Sequence, residues 1–341
     1  MKWLLKRVAA GVAALLVVVV AAGALLGMRF SGDKADWAAG AGGDAAWLSG
    51  EWLDGERGAD DRDALKARVE RAGIGELYVL AGTIGADGTV EGAGGSEEAA
   101  DFLAWAEEEL PDVRVLAWLR HRADGSSLVE DRFDEQGREE LTAAAGGMAE
   151  AGFAGVHLDV APVSVNDPSY PALLESVREE MGDDAVLSVQ ALPVELVPGL
   201  RVPYFAVDRG ERYWSKGYLR RVAEHADVVV IPGHGSGMPV GSMYGGYMVR
   251  QVEEAAEALD DARTEDTAVR FGIPAYEGGA WGPESGSEDA ATALEAVRIG
   301  MTKAGASRMR DRDGGVALYL LDTASDEEWD AYMSEWVEPS G

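Results

Sequence analysis

The residues best suited to chemistry in this chain stand together in the stretch Gly152-Phe-Ala-Gly-Val-His-Leu-Asp-Val-Ala-Pro162. It reads as a short buried strand with an imidazole and a carboxyl near its C-terminal end. Successive side chains of a strand point to opposite faces, so positions 157, 159 and 161 share one face. A carboxyl beside an imidazole can move protons, orient a ligand, or serve only as a pair of mutually satisfied buried groups. From the residue types alone all three readings of His157 and Asp159 stand.

Such a strand needs a sheet around it. Apolar β-rich runs alternate with amphipathic helical patterns along the chain, which argues for α/β architecture with a parallel sheet. The expected strands are Ala46–Ser49, Glu76–Ala81, Arg114–Leu119, Gly155–Val160, Val186–Gln190, Val228–Ile231, Val269–Pro274 and Gly315–Leu321. Eight is the number a closed (β/α)8 TIM barrel requires, and active sites in that fold lie at the C-terminal ends of the strands. The helices carry readable signals. Asp167-Pro168 gives an N-cap and a first-turn proline, followed by an apolar stripe of Tyr170, Leu173, Leu174 and Val177. Ser325 and Glu328 form a capping box ahead of Trp329, Tyr332, Met333 and Trp336. Ser96 opens another helix, which ends before Pro111.

Residues just beyond the strands would line the same cleft as Asp159. They are Glu51 and Trp52, Arg120 and His121, Gln190, His234, Tyr276 and Glu277, and Asp322. Trp52, Tyr276 and Trp281 offer faces that pack against a sugar ring, while Trp118 lies inside an apolar strand and reads as core. Glu277 and Asp322 could set a second carboxyl across the cleft from Asp159 if they lie close enough. His121, His157 and His234 fall on or beside strands, but no H-x-H or H-E-x-x-H spacing supports a metal site. The Gly-rich stretches 92–95 and 233–245 lack the phosphate-loop lysine and the dinucleotide fingerprint. No cofactor is implied.

The stretch 152–162 resembles the strand-four signature of chitinase-type (family 18) glycoside hydrolases, D-G-x-D-x-D-x-E. It is more similar to uncharacterised bacterial barrel proteins carrying G-F-D-G-V-H-x-D-x-E-P. Leu77-Tyr-Val-Leu-Ala-Gly82, Asp112-Val-Arg-Val-Leu-Ala-Trp-Leu119 and the segment 226–239 resemble further pieces of that group in the same order. In chitinase-type enzymes the last Glu of the motif is the acid, and the Asp two residues earlier orients the substrate's N-acetyl group as nucleophile. By that resemblance Asp159 is the orienting residue and Ala161 stands where the acid should be. Ala154 replaces the first Asp, His234 stands at a Tyr position and Gly235 at an Asp position of the sixth-strand segment. The resemblance therefore implies a glycosidase fold with its hydrolytic machinery degenerate.

The chain carries 30 basic and 61 acidic residues, a formal charge of -31, which opposes nucleic acid and anionic lipid. It contains no cysteine, so thiol catalysis and Cys-based zinc sites are excluded. Lys2, Lys6 and Arg7 precede an apolar run from Val8 to Leu26, long enough to cross a bilayer as one helix with its N-terminus in the cytoplasm. Residues 1–28 are therefore expected to be a signal anchor or a cleaved signal peptide, 29–44 a flexible tether, and 45–338 the barrel, placed outside the membrane or secreted. The expected function is binding of a glycan, such as an envelope polysaccharide, with little or no hydrolysis. An active glycosidase using Asp159 with Glu277 or Asp322, and a structural or protein-interaction barrel, are the alternatives.

Overall fold

The computed structural model describes residues 20–40, 42–121, 135–161, 163–196, 213–276, 287–310 and 312–339, with Trp3, Arg7 and Val17. Among the described residues eight strands make the barrel, in chain order: β1 (Asp44–Leu48), β2 (Ile74–Ile84), β3 (Arg114–His121), β4 (Gly155–Asp159), β5 (Val186–Gln190), β6 (Val228–Ile231), β7 (Ala268–Pro274) and β8 (Gly314–Tyr319). Each pairs in parallel with its successor, and β8 pairs in parallel with β1, so the sheet closes. The helices α1 (Ala59–Ala72), α2 (Glu97–Glu109), α3 (Glu135–Glu150), α4 (Ser169–Met181), α5 (Lys216–Ala223), α6 (Gly241–Ala258), α7 (Ala290–Ala304) and α8 (Asp326–Tyr332) follow the strands in turn. The architecture is the expected eight-stranded parallel TIM barrel.

Two apolar layers hold it together. The outer one lies between the sheet and the helices, and α4 shows how it is specified. Tyr170, Leu173, Leu174 and Val177 are all fully buried there, each burial contributing about 2 kcal/mol. Asp167 caps this helix, its Oδ1 accepting from Ser169 N at 2.8 Å. The inner layer fills the barrel with Trp47, Tyr78, Leu116, Trp118, Val228, Val230 and Ala317. Both faces of these strands are buried, as continuous apolar runs demand. Below this layer, Glu76, buried in β2, pairs with Arg114 and accepts from Tyr78 Oη at 2.7 Å.

The structure corrects several boundaries. β1 begins at Asp44, two residues before the expected start, and Ser49 falls outside it. Its small residues Ala45 and Ala46 carry weak strand propensity, and pairing with β2 and β8 decides the outcome. β2 runs on to Ile84 because a short strand, Val90–Glu91, folds back antiparallel on its end. β8 stops at Tyr319, and Leu321 enters a 3-10 turn.

The segment 29–44, expected to be a flexible tether, lies against the barrel. Ala35 and Ala38 are buried, Arg298 donates to Asp36 at 3.0 Å, and Lys34 bridges to Glu335 at 3.1 Å. Most of the apolar run Val8–Leu26 lies outside the described residues. Its residues 20–26 are helical, and the helix continues to Gly27. Among the described residues no helix is long and apolar enough to cross a membrane.

Candidate functional site

Parallel pairing places Trp118 of β3 beside His157 of β4, and Arg120 beside Asp159. Each pair is two residues apart along its strand, so all four point into the barrel. His157, fully buried, lies flat on the Tyr78 ring with centroids 4.2 Å apart, and its Nδ1 meets Ser188 Oγ of β5 at 2.8 Å. Burial holds its pKa down at about 3, opposed by the Gln190 amide, so the ring is neutral at physiological pH. His157 is therefore part of the inner packing beneath the mouth.

Asp159 stands one layer above. Burial raises its carboxyl pKa to about 6, while Arg120, with Nε 3.6 Å from Oδ2, and the Trp118 indole N–H oppose the rise. The indole N–H lies near the carboxylate without completing a hydrogen bond of good geometry. Asp159 thus gains or loses a proton close to neutrality. Arg120 is part-exposed and also spreads over the Trp118 ring, 5.4 Å from its centroid.

The far wall of the mouth is aromatic. Tyr319 at the end of β8 stacks on His234 with centroids 4.2 Å apart, and Tyr276 meets Tyr319 edge-on at 6.2 Å. Trp47 lies beneath, edge-on to His157, His234 and Tyr319. Burial, aided by the Arg120 charge, lowers the His234 pKa to about 4. Gln190 closes the β5 side, its Oε1 buried without a well-formed hydrogen bond. Arg120, Ala161, Gln190, His234, Tyr276 and Tyr319 are all half-buried. With Asp159 they make, among the described residues, a cup with aromatic faces, one carboxyl, one guanidinium and one amide.

The sequence-derived candidates thus divide. Asp159, Arg120, Gln190, His234 and Tyr276 meet at the mouth, with His157 just below. Trp52 does not join them: it is 5% exposed and packs against Phe102 of α2 in the outer layer, because the 3-10 turn Gly50–Trp52 carries it outside the sheet. Asp322 lies on the β8–β1 seam, across the barrel from β4, and its Oδ2 accepts from Ser49 N at 3.0 Å. Glu277 and Trp281 lie outside the described residues. His121 turns to the Ile84 carbonyl at 3.0 Å. Among the described residues, no three His, Asp or Glu side chains gather as metal ligands would.

Two residues were not anticipated. Tyr319 is central to the mouth, yet in sequence it is one more aromatic in an apolar strand. Glu288, 3% exposed, organises the loop that carries His234. Its Oε1 accepts from Ser236 Oγ at 2.6 Å and Gly237 N at 2.9 Å, and its Oε2 from Gly235 N at 2.8 Å. Gly235 and Gly237 adopt φ of 69° and 68°, which lets the loop wrap around the carboxylate.

No family model matches the sequence, and no curated protein matches it. Solved structures do match in shape. The spore cortex-lytic enzyme SleL of Bacillus cereus superposes with a TM-score of 0.59 at 13% identity, over 90% of this chain and 76% of that one. A class V chitinase from Pseudomonas fluorescens Pf-5 gives 0.58 at 12% identity, over 86% and 98%. A chitinase from Chromobacterium violaceum gives 0.54 at 14% identity, over 86% and 98%. At such identities the likeness is one of fold: this chain forms a (β/α)8 barrel similar in shape to those of the chitinases and of SleL.

Proposed function

We propose that the mouth of this barrel binds a glycan and does not hydrolyse it efficiently. The observation that carries the reading is the setting of Asp159, the one carboxyl among the described residues of an aromatic cup, with the Ala161 methyl where an acid would have to stand. Hydrolysis through two carboxyls needs a second one within roughly 5–10 Å. Asp322 is engaged by the β1 backbone on the opposite wall. The remaining groups suit recognition: Tyr319, His234 and Tyr276 present flat faces to a pyranose, and Arg120, Asp159 and Gln190 supply donors and acceptors. The fold neighbours are chitinases and a cortex-lytic enzyme, so chitin oligosaccharides and cell-wall glycan fragments are the first ligands to test. Saturable quenching of tryptophan fluorescence is expected on titrating them, because Trp118 and Trp47 underlie the cup. Replacing Tyr319 by Ala should weaken this binding about tenfold, the loss of roughly 1.4 kcal/mol of ring contact. Unchanged affinity in that variant would move the ligand out of the cup.

One observation favours a second reading. A carboxyl with a pKa near 6 is suited to donate a proton. With Glu277 supplying the other carboxyl, the barrel would be a working glycosidase. Reducing-end release that disappears in Glu277→Gln would establish it.

The apolar run Val8–Leu26 behind Lys2, Lys6 and Arg7 supports a tether in the membrane with the barrel outside the cytoplasm. Flotation of the full-length chain with lipid vesicles, lost on deleting residues 1–19, tests that part.

A further inference from the structure

The end of the apolar run is docked at one particular place on the barrel. In a βα unit the helix runs back against the strand, so the first turn of α6 lies at the mouth, just beyond the loop that carries His234. The helical residues 20–27 pack against that first turn. A methyl group added at Gly23 would lie 3.2 Å from Met243 Sδ, and one at Gly27 3.5 Å from Ser242 Oγ. A methyl at Gly246 would fall 1.9 Å from the Leu26 carbonyl oxygen, so the absence of a side chain there permits the close approach. Beyond this point the chain descends the outside of the barrel. Arg29 pairs with Glu253 further along α6, Asp36 with Arg298, and Asp44 enters β1 at the opposite end.

Among the described residues upstream, only Gly23 is buried. Val20 and Leu25 are 69% and 66% exposed, and Met28 is 71% exposed. Val240, two residues before Ser242, is 49% exposed on the same rim. These apolar side chains continue the run 8–26 onto the barrel.

We infer that the mouth rim around Val240 and the first turn of α6 rests on the surface of the bilayer, making the mouth the membrane-proximal end. The occupant of the patch is a zwitterionic lipid headgroup layer, since a formal charge of -31 disfavours an anionic one. The ligand of the cup would then be a glycan lying close against the membrane. The inference rests on the tether reading.

Because the chain has no cysteine, single Val240→Cys and Glu265→Cys variants of the full-length protein can each carry one fluorophore. Glu265 is exposed in the turn between α6 and β7, at the other end of the barrel. Both variants are reconstituted in phosphatidylcholine vesicles containing headgroup-quencher lipid and recovered by flotation. Several-fold stronger quenching at position 240 than at 265 is expected. Equal quenching, or stronger quenching at 265, in chains that float overturns the orientation while leaving the tether intact. Chains that fail to float remove the tether, and the orientation with it.

Discussion

At the scale of single residues the site turns on Asp159 and its neighbour Ala161. Burial lifts the Asp159 carboxyl to about 6, above its ordinary value of 3.8. The folded state therefore favours the proton. The stabilisation this brings is complete below about pH 4 and is lost as pH rises through 6, at a cost on the order of 3 kcal/mol once the group is charged. Asp159→Asn should accordingly match the wild type below pH 4 and melt at higher temperature at pH 8, while losing glycan affinity. Thermal unfolding across that range checks it, and a variant less stable at pH 8 would mean that Arg120 more than offsets the burial. Ala161→Glu alone is expected to leave reducing-end release well short of that of an intact chitinase-type enzyme, because His234 and Gly235 also depart from the pattern; full turnover from that one change would refute this. His157, Asp159 and Ala161 were legible in the sequence because alternation along a strand is local. Trp52 was misplaced because the sheet-to-turn junction after β1, and not its position after a strand, sets its direction.

At the scale of elements, strand order and helix caps were legible and their docking was not. The Ser325–Glu328 capping box forms as expected, with Glu328 Oε2 accepting from Ser325 N at 2.7 Å. Trp329, Tyr332, Met333 and Trp336 are buried, as their spacing indicates. Nothing in that spacing reveals that Tyr332 Oη and Trp336 Nε1 both donate to Asp44 Oδ2, at 2.7 and 2.8 Å, from nearly the whole chain away. Asp44 looked like the end of a polar linker, yet it is a buried acceptor that ties the C-terminal helix to β1. Asp44→Ala would leave those donors and Val316 N without their partner, and a loss of about 3 kcal/mol is expected in denaturant unfolding. Glu288 plays the corresponding part at the mouth. Glu288→Ala should release the loop 233–240, weaken glycan binding about tenfold and lower the melting temperature only slightly, since one surface loop is involved. Its calorimetric affinity measured beside its thermal stability separates that outcome from general unfolding.

At the scale of the whole molecule, the rhythm of strands and helices was enough to specify a closed barrel, because each βα unit is built from local signals. The chemistry of the mouth was less legible. It depends on which inward residues from distant strands meet, as Tyr319 of β8 meets His234 after β6 and Arg120 of β3 meets Asp159 of β4. A (β/α)8 barrel similar in shape to those of chitinases carries at its mouth an aromatic cup in which Asp159 is the carboxyl among the described residues, and the proposed tether would bring that mouth toward the membrane. Isothermal titration calorimetry of the full-length protein with chitin and cell-wall oligosaccharides tests the central claim most directly, because it registers binding and turnover in one trace. Saturable heats that return to baseline, lost in Tyr319→Ala, are the expected result. A sustained heat of hydrolysis abolished by Asp159→Asn would contradict the claim and make this barrel an enzyme.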